Sequence, residues 1–192
     1  MFLNSITKEE LDNLPLGSFT GRIVVVNTEA ICHKAVSFLS AQKALGFDTE
    51  TRPSFKKGQV NRVALLQLGT PEIAFLFRLN QIGLPKEVAT LLSNEYILKI
   101  GAAIHDDIKH LQKLRNFVPK GFMELQHEVK QYGIEDASLK KIAGIVLGIR
   151  ISKSQRLSNW EADILTEPQQ AYAATDAWVA VQIYNQLILE EK

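Results

Sequence analysis

Strand-like runs crowd into the first half of the chain, and this uneven placement limits the fold more than any other feature. Residues 23–26 are Ile-Val-Val-Val, a β-branched run that reads as a buried strand. Residues 45–50 read as a second strand, and residues 63–68 and 73–77 as two more, joined by the tight turn Gly69-Thr70-Pro71-Glu72. A short fifth strand is expected at 97–100. Helical patterns fill the rest. They run from the candidate caps Asn27 and Thr28 to about Gln42, then over 85–92, 104–114 and 139–147, and from Glu167 to the C-terminus. The last of these opens with a capping box, Thr166 to Gln169, with Pro168 tolerated in the first turn. Early strands followed by mostly helices predict an α/β architecture, a mixed sheet with helices packed against it.

One domain is expected over residues 21–192, preceded by a polar arm, 1–20, with a short helix near 8–14. A chain of 192 residues buries enough surface to need no disulfide or structural metal. Cys32 is the single cysteine, which excludes an intrachain disulfide and a thiolate metal cluster. The start, Met1-Phe2-Leu3-Asn4, lacks the basic and apolar segments of a signal peptide. No apolar stretch approaches the roughly 18 residues of a membrane span. A cytoplasmic setting without membrane contact is therefore expected. The 22 Lys and Arg nearly balance 21 Asp and Glu, so an anionic partner must be met by a local patch and not by a global field.

The acids carry the chemical signal. Asp48 and Glu50 interrupt an apolar strand at spacing two, so both side chains point to one face. A solvent-facing strand edge is the plain alternative. Asp107 falls within the apolar stripe Ile104, Ile108, Leu111 and Leu114 of its helix, whereas Asp106 lies with Lys109 and Lys113 on the wet side. An acid near a helix N-terminus is also favoured by the dipole, which is the plain account of Asp107. Asp176 sits on the face formed by Tyr172, Val179 and Ile183, where an ion pair in the core is the alternative. Four carboxylates from one strand and two helices repel one another unless cations join them. Hard oxygen ligands suit Mg²⁺ or Mn²⁺, and two such ions can clamp both oxygens of a phosphodiester displacement.

Three motifs follow in order. They are Phe47-Asp48-Thr49-Glu50-Thr51 with the later Val63-Ala64-Leu65-Leu66-Gln67-Leu68; Ile100-Gly101 through His105-Asp106-Asp107 to Leu111; and Tyr172-Ala173-Ala174-Thr175-Asp176-Ala177 preceded by Leu157-Ser158-Asn159-Trp160. From about Ile23 onward the chain resembles the DEDD exonucleases of ribonuclease-H-like fold, in the subclass whose third motif carries tyrosine. It lies nearer to the exonuclease domain of the Werner-syndrome helicase than to ribonuclease D. The resemblance implies a central five-stranded mixed sheet and two divalent cations, Mg²⁺ or Mn²⁺. The implied activity is 3′→5′ hydrolysis of nucleic-acid ends that releases nucleoside 5′-monophosphates, with DNA favoured and RNA also open. It also implies that Asp48 bridges both metals, that Glu50 and Asp176 hold the metal that activates water, that Asp107 holds the other, and that Tyr172 orients or helps deprotonate the water.

Basic residues flank these motifs. Thr49, Arg52, Lys56, Lys57, Lys153 and Arg156 are candidates for contacts to substrate, with solvated loop charge as the alternative for the cations. Arg62 and Arg150 belong to the same two clusters, Phe55 is a candidate for stacking on a base, and Trp160 reads as a packing anchor. The four histidines lack zinc spacing. Two rival functions stay open at this point. A haloacid-dehalogenase-type phosphatase also carries acids at a strand end, but it uses Asp twice and leaves Tyr172 and Asp176 without a role. A non-catalytic nucleic-acid-binding module of the same fold would have no need to keep all four acids.

Overall fold

The computed structural model describes residues 2–54 and 61–190. The elements run α1 (Lys8–Asn13), β1 (Arg22–Val26), α2 (Glu29–Leu39), β2 (Ala44–Thr51), β3 (Val63–Gly69), β4 (Ile73–Arg78), the single turn α3 (Leu79–Ile82), α4 (Lys86–Leu92), β5 (Leu98–Gly101), α5 (Ile104–Leu114), β6 (Phe122–Glu124), α6 (Leu125–Glu128), a 3₁₀ turn (Val129–Tyr132), α7 (Leu139–Leu147) and α8 (Glu167–Glu190). Local signals set several of the helix starts. Thr7 and Glu10 close a capping box on α1, Thr28 accepts from the Ile31 amide at the start of α2, and Ser138 accepts from the Lys141 amide at the start of α7.

The strands form one mixed sheet in the order β1-β4-β3-β2-β5-β6. β3 runs antiparallel to both its neighbours, while β1–β4, β2–β5 and β5–β6 are parallel. The sheet therefore has one strand more than the five expected. The extra strand, β6, is only three residues long, too short to show an alternating pattern, and it forms by pairing Phe122, Met123 and Glu124 with β5. The short helices α3 and α6 escape the sequence reading for the same reason of length.

Alternation along β2 sorts its side chains. Leu45 and Phe47 join the apolar layer that also holds Cys32, Val36 and Leu39 of α2, Val88 and Leu92 of α4, and Ile104 and Leu111 of α5. Gly46, Asp48 and Glu50 face the other way, towards α8. A second apolar layer on that side joins Ile100 to Ile142 and Val146 of α7 and to Val179, Ala180 and Ile183 of α8. Within the arm expected at residues 1–20, the described residues 2–20 are anchored to this side. Ile6, Leu11 and Phe19 are buried, and the Phe19 amide donates to the Thr175 hydroxyl on α8 at 3.0 Å.

α8 is buried on more than one side because it lies between the sheet and α7, which explains the run Ala173, Ala174, Ala177, Val179, Ala180 and Val181 in its interior. Its approach to the sheet is set by two glycines paired across strands, Gly46 on β2 and Gly69 on β3. A Cβ on Gly46 would lie 1.7 Å from the Ala177 carbonyl oxygen, and one on Gly69 would lie 3.2 Å from the Ala177 Cβ. Together they form a notch into which the backbone of α8 settles. Gly46→Ala is expected to destabilise the fold by about 3 kcal/mol, the upper end of ordinary overpacking costs, because helix backbone cannot step aside as a side chain can. Denaturant unfolding of the purified variant checks this. Wild-type stability would show that α8 is free to shift outward.

Candidate active site

The notch decides which acids meet. Asp48 and Glu50 follow Gly46 on the same face of β2, and Asp176 immediately precedes Ala177 on α8. Carboxylate oxygens of Asp48, Glu50 and Asp176 all lie within 4.8 Å of one another. Asp176 is buried, and Asp48 and Glu50 are half-buried. Burial, then the charge of Asp176 and of Glu50, holds the Asp48 carboxyl well above the usual carboxylate range. Burial and the neighbouring Asp176 push Glu50 up to about 9. Burial raises Asp176 to about 7, against the opposing pull of a Tyr172 hydrogen bond and of the Lys153 charge. Without cations, then, the cluster holds protons that such groups would otherwise shed at neutral pH.

Asp107 arrives by a different route. β5 pairs with β2 only from Ala44 to Gly46, so beyond that point β2 has no strand on that side. The first turn of α5 lies at this open edge. Thr49, on the face opposite Asp48, donates its hydroxyl to the Asp107 carboxylate. Asp107 is half-buried, and burial raises its pKa, partly offset by the Thr49 bond. Its charge also raises Asp48 and Glu50. Of the four acids expected to gather, three share one tight cluster and Asp107 stands at its edge, held by Thr49. Asp106 points away, with its side chain 79% exposed and 3.6 Å from Lys109.

Tyr172, one helical turn before Asp176, donates its hydroxyl to that carboxylate. Burial, then the charges of Asp176, Glu50 and Asp48, raises the phenol above its ordinary value, which favours its protonated form as a donor. Its ring packs at 5.9 Å from that of Trp160, which is fully buried, as expected of a packing anchor. Arg78 fixes the segment that follows Trp160 through hydrogen bonds to the Ala162 carbonyl and, at 3.3 Å, the Asp163 carbonyl.

Asp48, Tyr172 and Asp176 open into a cleft of about 180 Å³ that Phe47, Lys140 and Lys153 also line. A larger concavity of about 870 Å³, lined by residues of α2, α4 and the end of α5, is remote from the cluster and contains none of its acids. Among the basic candidates, Lys153 reaches the cleft. Arg52 is paired with Glu161 at 3.2 Å, and Arg156 is exposed on the same loop as Lys153. Lys56 and Lys57, with Phe55, lie outside the described residues.

Two residues at the site carried no signal in the sequence. Lys140 enters the cleft only because α7 is folded against it. Glu124 ends β6 and binds the start of α5: its carboxylate accepts from the amides of Ala103 and Ile104, both at 2.9 Å, and of Gln126 at 3.1 Å. Ala103 has φ 61°, a left-handed backbone that costs energy for a residue with a Cβ. The Glu124 bonds hold that turn and so set where Asp107 begins its reach.

Comparison with known proteins agrees with this geometry. A family described as 3′-5′ exonuclease matches residues 23–190. The mouse bifunctional 3′-5′ exonuclease/ATP-dependent helicase WRN is 37% identical over 92% of this chain and 13% of its own length. Mouse exonuclease 3′-5′ domain-containing protein 2 is 28% identical over 93% of this chain and 32% of its own. The chain thus spans less than half the length of these curated relatives. In fold, it superposes on the EXO domain of Nibbler from Aedes aegypti with a TM-score of 0.80, at 23% identity, over 91% of this chain and 92% of that one. Its family match over residues 23–190, together with the 37% identity, places the chain in the 3′-5′ exonuclease domain family.

Proposed function

We propose that this domain hydrolyses the terminal phosphodiester at the 3′ end of a nucleic acid and releases a nucleoside 5′-monophosphate. The observation that carries the reading is the cluster of Asp48, Glu50 and Asp176 oxygens within 4.8 Å, placed in surroundings that penalise their charge. Buried like charges persist at neutral pH only with compensation, and the donor set is all hard oxygen. The residues therefore fit divalent cations. Asp48, Glu50, Asp107 and Asp176 would hold two of them, Mg²⁺ or Mn²⁺, which when bound neutralise the acids and supply Lewis acidity to the phosphodiester.

The chain's own groups do the rest. The Tyr172 hydroxyl donates a hydrogen bond to Asp176, which leaves a lone pair of the phenol oxygen free to accept from a water in the cleft and orient it. That role is to position the water. Water oxygen attacks the terminal phosphorus, the bond to the 3′ oxygen breaks, and the shortened strand leaves with a 3′ hydroxyl. Lys153 and Lys140 line the cleft where substrate phosphate would enter. Arg52 needs to leave Glu161 before it can serve, an exchange of one exposed ion pair for a phosphate that costs little. Substrate choice is tested by experiment: DNA, favoured by the motif resemblance, is compared with RNA, the ligand named for the Trypanosoma brucei RNase D complex, which shares the fold at 20% identity. With 5′-labelled strands in Mg²⁺ or Mn²⁺, a shortening ladder and 5′-monophosphates are expected. Cleavage of circular strands, or release of 3′-monophosphates, would refute the proposal.

Three further outcomes follow from the site. In chelator, the folded cluster binds protons that the unfolded chain releases, since Glu50 moves from 4.5 to about 9 and Asp176 from 3.8 to about 7. Their contribution is therefore fully present below about pH 4 and is lost as pH rises towards 9. Thermal midpoints of metal-free protein should fall from pH 5.5 to 8.5, and saturating Mn²⁺ should restore them, most strongly at the higher pH. A metal-free midpoint that rises over this window, with no response to Mn²⁺, would remove the cation site.

The adjacent acids of α5 should behave differently. Asp107→Asn should lower turnover on the order of 10²–10³-fold, the usual loss when a preorganised electrostatic partner is removed. Asp106→Asn, at an exposed ion pair, should leave turnover within about twofold. Equal losses in the two would disprove the assignment.

Tyr172→Phe should keep fold and Mn²⁺ stabilisation but lower single-turnover rates about 10–100-fold through a misplaced water. An unchanged rate would exclude the hydroxyl from the chemistry.

A further inference from the structure

Gln67 is the most deeply buried polar side chain near the cluster that no part of the reading above uses. It lies in the middle of β3 with no exposure to solvent. Among the described residues, neither its Nε2 nor its Oε1 has a hydrogen-bond partner. Buried amides are almost always paired, so an amide left idle at both ends calls for a physical reason. Its position supplies one. In the antiparallel register of β2 and β3, Gln67 is the residue directly opposite Asp48. Opposed residues point to the same face with Cβ atoms about 4.5–5.5 Å apart, within easy span of a glutamine side chain. The flanking pair Gly46 and Gly69 places that face beneath α8, so solvent cannot serve the amide. Asp48, for its part, has one oxygen occupied by the amide of its own neighbour, Thr49, at 2.9 Å.

We propose that Gln67 is a positioning residue for Asp48: in the working site its side-chain amide hydrogen-bonds the Asp48 carboxylate and fixes how that carboxylate faces Glu50 and Asp176. The opposed register puts the amide and the carboxylate on one face of adjacent strands, at the spacing of a cross-strand pair. An Asp48 so held keeps one orientation when its neighbours are drawn to a cation. Partners of this kind, which orient a ligand without touching the ion, typically change metal affinity about 10–100-fold when removed. This inference rests on the reading of the cluster as a divalent-cation site.

The test uses Gln67→Met, close to glutamine in length and bulk but without a donor or acceptor. Three quantities are read on wild type and variant: the thermal midpoint in chelator, Mn²⁺ affinity by calorimetry, and kcat and KM for a 5′-labelled strand. The expected variant keeps or raises the metal-free midpoint, because an unpaired buried amide is gone. It binds Mn²⁺ about tenfold more weakly or worse, and its kcat falls while KM for the strand holds. Gln67→Leu is read in the same way and carries the test should the methionine variant not fold. Gln67→Asn, with an amide one carbon shorter, should bind Mn²⁺ no more tightly than wild type and lose less than the methionine variant. Mn²⁺ affinity and kcat at wild-type levels in Gln67→Met or Gln67→Leu would overturn the inference and leave the cation site standing. A wild type that itself fails to bind Mn²⁺ would overturn both.

Discussion

The close seating of α8 on the β2–β3 pair is the contact on which the rest of the site depends. Gly46 and Gly69 face each other across the strands and remove the two side chains that would otherwise hold the helix away. Helix backbone then sits against strand backbone at Ala177, and the residue before it, Asp176, comes within a few ångströms of the acids that follow Gly46. Side-chain flexibility could not achieve this for groups as short as aspartate, whose carboxylate carbon lies only two bonds beyond the Cα. Small residues on both surfaces set the distance, and the distance sets the chemistry.

That approach has an electrostatic cost that the fold leaves in place. Desolvation raises Asp48, Glu50 and Asp176 together, and the nearest cation among the groups that bear on Asp176 is Lys153 at the mouth of the cleft. A structural ion pair would have put an arginine or lysine inside the cluster. Instead the balance is left to a ligand, as expected of a site whose stability depends on what it binds. Such local conflicts between folding and charge mark functional sites because nothing in the packing requires them.

Supports outside the cluster matter as much as the acids. Thr49 shows one face of β2 to Asp107 while Asp48 and Glu50 occupy the other, so a single strand serves two helices. Glu124 pins the turn into α5, and Arg78 pins the segment beyond Trp160. Glu124 and Arg78 act through hydrogen bonds to backbone, which are insensitive to the identity of the residue they hold, whereas Thr49 holds the Asp107 carboxylate itself. The contacts of Glu124 and Arg78 orient the site without entering it.

The sequence by itself determined the strand and helix pattern of the central elements and the choice of acids. Periods of two and of 3.6 residues are local properties, so Asp48 and Glu50 on one face of a strand, Asp107 and not Asp106 on the inner side of α5, and Tyr172 with Asp176 on one face of α8 were all legible before any contact was known. The family motifs then joined those faces into one site. Only the tertiary structure decided what depends on neighbours brought from a distance. β6 exists because β5 offers it an edge, and Thr49, a candidate for substrate contact, donates its hydroxyl to Asp107. Arg52 is tied to Glu161, while Lys140 and Glu124 entered the site with no pattern to announce them. The physical reason is range. Periodicity is written into consecutive residues, whereas the burial, pairing and charge of a side chain are fixed by whatever the folded chain places against it.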